Sequence, residues 1–527
     1  MPAQESQPGL EERSVVSCFI FSPGRDNPQV ALFRRSEKVH TYRHHRAPIS
    51  GSIKTHESPL AAAWRELEEE TSLTTSDAEI WRQGKPYAFE DTSVGRRWTV
   101  YPIAFRLKDP GEGGRGEEAI QIDWEHDGWE WYDPVKVAED AHFVGVPRLA
   151  ESLQRVYFEI YMNDGASKIL QSSLEELKAD HQSGSHELTS IALKAFRDVL
   201  VHLRGDVAWW KNARMAAWHL WKNGRESMGA ATLNALLGVL ADIDDLHCTD
   251  LSNESRWDRV LAVVDHHLQE RQTMPSRIRD SFTAYLQDRY LPVAQSHSGN
   301  TLTLLTLSAS STIRDSILDA FATLPIPRLD LRILESRPLF EGASMASSLL
   351  SEFESKFPSS SGRQLALNVY TDASAALASP DVDFVLLGAD RISGTGQVSN
   401  KVGSLPAVLS AKHASTKVKI LVPSQLEKVA EPGGEDHHQQ EENDRMEVMS
   451  CWLDSGIRGV GVLEEGLQGT RPKTAHCAVN VRNVYFEWIP AGLIDAYICE
   501  EGTLNADAIQ TKAQQVKEKA ERYLGSL

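Results

Sequence analysis

Apolar positions change their spacing twice along this chain of 527 residues. Up to residue 146 the apolar runs are short and rich in β-branched and aromatic residues: "SVVSCFIF", "QVALFRR", "WTVYPIAFRL" and "DWEHDGWEWYDP". Such runs predict strands. One segment among them repeats differently. In "SPLAAAWRELEEETSL" the residues Leu60, Ala63, Trp64 and Leu67 fall at i, i+3, i+4 and i+7, Ser58 is placed to cap the first amides, and Pro59 suits the first helical position. Between 147 and 292 the spacing turns helical, as in "LTSIALKAFRDVLVHLRG", "AWWKNARMAAWHLWKNG" and "ATLNALLGVLADIDD". Trp210, Trp218 and Trp221 lie on such a stripe, where core packing is a plainer role than a ligand platform.

From 293 onward the pattern alternates. "TLTLLTLS", "LDLRILES", "LALNVYTD", "DFVLLGAD" and "VKILVPS" read as strands, separated by "IRDSILDAFATL", "ASMASSLLSEFESKF", "ASAALAS" and "SLPAVLSAKHA", which read as helices. Strand–helix alternation predicts a doubly wound, Rossmann-like parallel sheet, whose ligands sit at the carboxyl ends of the strands. The polar insertion "EKVAEPGGEDHHQQEENDRMEV" reads as a disordered surface loop rather than a metal site built on its paired histidines. The expected fold class is thus an α/β multidomain chain with parts at 1–146, 147–292 and 293–527.

Composition narrows the function classes. A hydrophobic content of 41% and 24% charged residues belong to a soluble globular protein. A formal charge of −19 argues against non-specific binding to nucleic acid or to an anionic membrane, while leaving local basic pockets open. Five cysteines with no Cys-x-x-Cys spacing give neither a zinc ribbon nor a disulfide framework, which points to a reducing compartment. "MPAQESQPGLEERS" has no apolar signal core, and no run approaches ~18 apolar residues. A cytoplasmic location is expected, with the nucleus also open.

The predicted first helix carries a charge problem. Glu66, Glu69 and Glu70 stand at i, i+3 and i+4 on a face expected to be exposed, so their carboxylates should converge toward one point outside the helix. Convergent hard oxygens make a site for Mg²⁺ or Mn²⁺; a solvated face with an Arg65–Glu69 ion pair is the alternative. The order Gly51, Glu57, Arg65-Glu66, Leu67, Glu69-Glu70 and Leu73 resembles the Nudix box of enzymes that cleave nucleoside diphosphates linked to another group. The resemblance covers about residues 10–145. It implies an α/β/α sandwich and a metal held by Glu66, Glu69 and Glu70, with the Gly51 carbonyl as a further ligand. It also implies that Glu57 and Arg65 orient loop and helix, with one of the glutamates as base. Where the family has a glycine ending the helix in a left-handed turn, this chain has Ser72, so altered loop geometry rather than loss of metal is expected. The basic run "HTYRHHR" (40–46) would meet phosphate.

A second constellation lies at the predicted strand ends: "ESRPLFEG" (335–342), "YTDAS" (370–374), "GADRI" (388–392) and "NKVGS" (400–404), with "FEWIP" and "CEEG" further on. Together with "SGSHELTSIAL" and "RESM" upstream, they resemble the family of translation initiation factor 2B α/β/δ subunits, methylthioribose-1-phosphate isomerase and ribose-1,5-bisphosphate isomerase. The resemblance assigns Asp390 to an acid–base role, Asn400 and Lys401 to substrate hydroxyl and phosphate groups, and leaves Arg225 and Arg337 as candidate phosphate contacts. It also breaks at one point. The isomerases' catalytic cysteine falls on Ser308, and an unperturbed hydroxyl is a far weaker proton donor or acceptor than a thiol. The arginine expected near "SGS" falls on Ser183. A helix cap or a pair with Arg391 is the plainer role for Asp390, and a surface charge for Lys401.

Two readings follow. In the first, a Mg²⁺-dependent hydrolase acting on an ADP-ribose-like substrate is fused to a sugar-phosphate-binding part that lacks full isomerase activity. In the second, the C-terminal part is a regulatory scaffold like an initiation-factor subunit, or an active isomerase. A homo-oligomer formed through the C-terminal part is expected in either case.

Overall fold

Strands β1 (Glu11–Phe21), β2 (Val30–Arg35), β3 (Arg46–Ala47) and β4 (Ile49–Ser52) precede helix α1 (Pro59–Thr71), and β5 (Ala78–Gln83), β6 (Tyr87–Asp91), β7 (Arg96–Leu107) and β8 (His126–Tyr132) follow it. The computed structural model describes residues 10–24, 27–180, 183–225, 229–247, 253–294, 301–432, 442–467 and 479–527. The eight strands form one sheet with the order β3-β2-β1-β7-β5, β4 and β8 pairing with β1 and β2, and β6 with β7. β1 and β7 run parallel through eleven residue pairs, from Glu11↔Arg96 to Phe21↔Arg106. The run "SVVSCFIF" is apolar without alternation because β1 is buried on both faces. Val16, Cys18 and Ile20 pack with Ala62, Ala63 and Leu67 of α1. Phe19 and Phe21 pack on the other side with Leu149, Leu153 and Val156 of a later helix. The expected sandwich follows from that double burial.

After α2 (Pro134–Glu139) and α3 (Leu149–Val156), the chain is helical through α4 (Asp164–Ala179), α5 (Ser185–His202), α6 (Trp209–Lys222), α7 (Gly229–His247), α8 (Asn253–Arg289) and α9 (Leu291–Ala294). Trp218 is buried in α6 and meets Trp221 edge-on, a packing role. The length of α8 escaped the sequence reading, since its polar residues outnumber a clean stripe.

The chain separates into two units, one of Met1–Gly229, Leu240–Val264 and Glu521–Leu527, the other of Ala230–Val239 and Asp265–Ala520. The second unit contains β9 (Thr301–Leu307), α10 (Ser311–Thr323), β10 (Arg328–Leu334), α11 (Glu341–Lys356), β11 (Gln364–Tyr370), α12 (Ala375–Ala378), β12 (Phe384–Leu386), β13 (Arg391–Ile392) and β14 (Val398–Lys401). It continues with α13 (Ser404–Ala414), β15 (Lys419–Pro423), α14 (Arg445–Asp454), α15 (Gly461–Leu467), β16 (Phe486–Ile489), β17 (Ala496–Cys499) and β18 (Gly502–Leu504), and α16 (Ala506–Leu524) runs past its boundary. Its main sheet has the order β11-β10-β9-β12-β15-β17-β18. All pairings in it are parallel except β17 with β18. The order turns back on itself at β9, so loops leave β9 and β12 in opposite directions and open a crevice at their carboxyl ends. β13, β14 and β16 form a small antiparallel sheet beside that edge.

The acidic insertion departs from the expected loop at both described ends: Val429 and Ala430 are buried, with Ala430 N donating to Ile392 O, and Arg445 onward belongs to α14, capped by Asp444. His437 and His438, and residues 226–228 of "RESM", lie outside the described residues. Among the described residues no helix is long and apolar enough to cross a membrane.

Candidate active site

Ser58 caps α1 by accepting from Ala61 N, and Ser72 closes it in the left-handed region at φ 58°. Between these caps the glutamates divide. Arg65 occupies the centre of the cluster: its Nε and Nη2 donate to the two carboxylate oxygens of Glu57 at 2.8 and 2.9 Å. Its Nη1 donates to Glu66 at 2.6 Å and to Glu69 at 3.2 Å, and Nη2 also reaches the Ser52 carbonyl at 3.0 Å. One guanidinium thus ties β4, the following loop and α1 together, a fork that a lysine has no geometry to reproduce. The same contact holds the Glu57 carboxyl at about 2.

Glu70 corrects the expectation of an exposed face. It is 4% exposed and turns inward to His126, whose Nε2 lies 2.7 Å from Glu70 Oε2. The helix places Glu70 one step round from Glu69, and the segment 121–126 lies along that side: Gln121 N donates to Thr71 O and Asp123 N to Glu70 O. Burial, followed by the charges of Glu125, Glu66 and Asp123, pushes Glu70 up to about 9. Burial also raises Glu66 and Glu125. Asp123, Glu125 and His126 lie in "DWEHDGWEWYDP", whose strand pattern alone assigns them no chemistry. Their signal is the acids flanking that strand's start, which only the fold brings to α1.

Gly51 supplies the closest approach. A Cβ there would lie 1.8 Å from Glu66 Cδ, so only glycine lets β4 pass against this carboxylate. The expected convergence of three carboxylates on one point is not seen. Among the described residues no three His, Cys, Asp or Glu side chains are gathered at ligand spacing, because Glu66 and Glu69 turn to Arg65 and Glu70 to His126. The donor chemistry nevertheless suits a hard divalent cation: the groups are carboxylate oxygens, with Glu70 buried and Glu66 and Glu125 half-buried against their own repulsion, a deficit of positive charge that Mg²⁺ or Mn²⁺ relieves. Three basic residues of the run before the box are engaged with carboxylates. Arg43 and His44 pair with Glu37, and Arg46 pairs with Glu130.

In the second unit the predicted residues gather at the carboxyl edge of the parallel sheet, with one exception. Ser308 follows β9 with φ 63°, and its N–H donates to Ser336 Oγ at 2.7 Å. Asp372 accepts from the N–H groups of Ser336 and Arg337 at 2.9 and 2.8 Å. Asp390 N donates to Ser399 O across the β13–β14 hairpin. Asn400 is buried, donates to Ser404 Oγ at 2.9 Å, and sits where a Cβ on Gly388 would meet its Oδ1 at 3.1 Å. Lys401 is not a free surface charge: its Nζ lies 3.1 Å from Glu341 and 4.2 Å from the ring centre of Tyr485. Arg337 pairs with Glu335 at 2.9 Å. The exception is Arg225, which belongs to the first unit and donates to Asp180 O at 2.6 Å.

Two groups at this edge escaped the sequence reading. Glu487 of β16 accepts from Gly403 N and Leu405 N at 2.7 and 3.0 Å, so a carboxylate already satisfies amides at the start of α13. Lys428 donates to Ala389 O at 2.6 Å beside Asp390, and burial lowers its ammonium while the charge of Asp390 opposes that.

Comparisons with known proteins match two separate stretches of the chain. Residues 11–155 match the NUDIX domain model, and residues 289–506 match that of the Initiation factor 2 subunit family. A methylthioribose-1-phosphate isomerase of Syntrophotalea carbinolica is 32% identical over 138 residues, covering 26% of this chain and 35% of its own length. Another, of Marinobacter nauticus, is 31% identical over 138 residues, covering 26% of this chain and 34% of its own. The chain therefore spans about a third of the length of the curated relatives it matches. The solved translation initiation factor eIF-2B of Pyrococcus horikoshii is 18% identical, with 64% of this chain and 96% of that chain covered at a TM-score of 0.42.

Proposed function

We propose, for a chain that carries a NUDIX domain at 11–155 and an Initiation factor 2 subunit family domain at 289–506, that its first unit hydrolyses a nucleoside diphosphate derivative such as ADP-ribose in a Mg²⁺-dependent reaction. The observation that carries this reading is the cluster in which Arg65 fixes Glu57, Glu66 and Glu69 while Glu70 is buried beside Glu66 and Glu125. Glu66, Glu69 and Glu70, with the Gly51 carbonyl, would hold the cation, and the missed Glu125 extends the same oxygen set. Bound there, Mg²⁺ or Mn²⁺ supplies charge neutralisation at the diphosphate and a more acidic water. The chain itself orients the glutamates through Arg65, and keeps Glu70 turned to His126 Nε2. Purified protein tested with and without Mg²⁺ against nucleotide sugars, dinucleotides and nucleoside triphosphates checks the reading. Glu69→Gln and Glu70→Gln should each lower turnover by about 10²-fold or more, since each removes a hard ligand. Wild-type turnover in both variants, or without metal, overturns it.

For the second unit we infer sugar-phosphate or nucleotide binding without efficient isomerisation. The relatives that isomerise methylthioribose 1-phosphate, together with Asp390, Asn400 and Lys401 at one sheet edge, support binding. Ser308 in the place of the cysteine counts against turnover. A scaffold role in a homo-oligomer is the second reading, and one observation favours it: Lys401 and Arg337 are paired with Glu341 and Glu335, and Glu487 sits on the amides where an anion would bind.

A further inference from the structure

The first unit holds a recess that the carboxylate cluster does not explain. A cavity of ≈ 200 Å³ is walled by four half-buried aromatic side chains, Tyr42, Tyr87, Phe89 and Trp98. Two of the rings are fixed by their hydroxyls. Tyr42 donates its hydroxyl to Asp91 at 2.6 Å, and Tyr87 shares a 2.7 Å hydrogen bond with Ser152. Tyr87 and Phe89, on the same side of β6, lie with planes 18° apart, and Arg155 covers the Tyr87 ring at 4.5 Å. With the phenol oxygens engaged, the rings offer the cavity mainly carbon surface, and Ser17, Thr41 and Ser50 also line it.

Two residues connect this cavity to the carboxylates. Gly51 borders it and also makes the close approach to Glu66. Arg35 lines it, is held by a 3.1 Å bond from its Nε to Thr41 O, and is near enough to Glu70 and Glu125 for its charge to act on both. Aromatic walls with scattered hydroxyls suit a flat heterocycle, which stacks on rings and bonds through its edge. A bare phosphate would leave the rings unused, and an aliphatic chain would leave the guanidinium unused.

We propose that this cavity receives the base of the nucleotide substrate, with Arg35 meeting the phosphates on their way to the glutamates. The proposal rests on the hydrolase reading above and names its specificity pocket. It is tested on the full chain without divalent cation, using adenosine 5′-monophosphate and ribose 5-phosphate as probes in titrations and saturation-transfer NMR. The adenine protons should receive the strongest transfer. Phe89→Ala and Trp98→Leu should weaken the nucleotide about 5- to 150-fold, the range of one stacking contact, and leave ribose 5-phosphate unmoved, while Phe89→Tyr retains wild-type affinity. Phe89 lies only half-buried on β6, so the alanine variant should fold, with a modest fall in melting temperature. Absence of nucleotide binding, or no class of nucleotide site responding to Phe89→Ala, overturns the pocket. Failure of the hydrolase reading shows separately, as hydrolysis that survives Glu69→Gln and Glu70→Gln.

Discussion

Arg65 explains how Glu57, Glu66 and Glu69 tolerate one another: a single delocalised cation donates four hydrogen bonds to them. A second arginine does similar work past the end of α1. Asp77 is 2% exposed and accepts from Arg115 Nε and Nη2 at 2.8 and 3.0 Å, as well as from Thr74. Arg115, with the Thr74 contacts, holds its carboxyl at about 2 from an ordinary 3.8. A carboxyl depressed in the folded chain adds stability above its unfolded value and loses it as pH falls through the folded one. The contribution should therefore be complete above about pH 4 and gone near pH 2. Allowing for a half-exposed guanidinium, Asp77→Asn should cost about 1–2 kcal/mol at neutral pH. Urea melts of wild type and variant across pH 2–7 read the difference; a gap that stays constant to pH 2 contradicts this account.

At the scale of elements, α1 is defined by its ends and by the strand it faces. Ser72 adopts the left-handed turn that glycine occupies at little cost, so the altered loop geometry expected from the missing glycine is not seen at this residue. Ser72→Gly should raise stability by about 1 kcal/mol in thermal melts without changing the metal requirement. A fall in melting temperature would mean that the serine hydroxyl compensates. β4 works in the opposite sense. Gly51→Ala would drive a methyl into the Glu66 carboxyl, which can swing away only by leaving Arg65. The variant should fold, by circular dichroism, and lose most hydrolysis; full activity would place Glu66 outside the reaction.

For the molecule as a whole, the two units predict separable chemistries. Calorimetry should detect ribose 5-phosphate, ribose 1,5-bisphosphate or a nucleoside monophosphate in the second unit. Lys401→Ala should weaken that binding by ~1.5–3 kcal/mol, because a charge-assisted contact is lost. NMR should show little aldose-to-ketose conversion by the wild type, with Ser308→Cys as the gain-of-function variant. Rapid wild-type turnover would shift the proton-handling role to another group, with Lys428 beside Asp390 the first to replace. The sequence by itself determined what depends on neighbours along the chain. The caps and stripe of α1, the strand–helix alternation from β9 to β15, and the placing of Ser308, Asp390 and Lys401 at strand ends all follow from local periodicity and loop chemistry. Tertiary structure alone decided which charges meet. Glu70 is buried because segment 121–126 folds over α1, Asp123 and Glu125 join it from some fifty residues away, and Glu487 reaches the start of α13 only through the pairing of β14 with β16. Helical and strand periods fix the face on which a side chain stands; burial and charge pairing depend on what packs against that face, which no local pattern encodes.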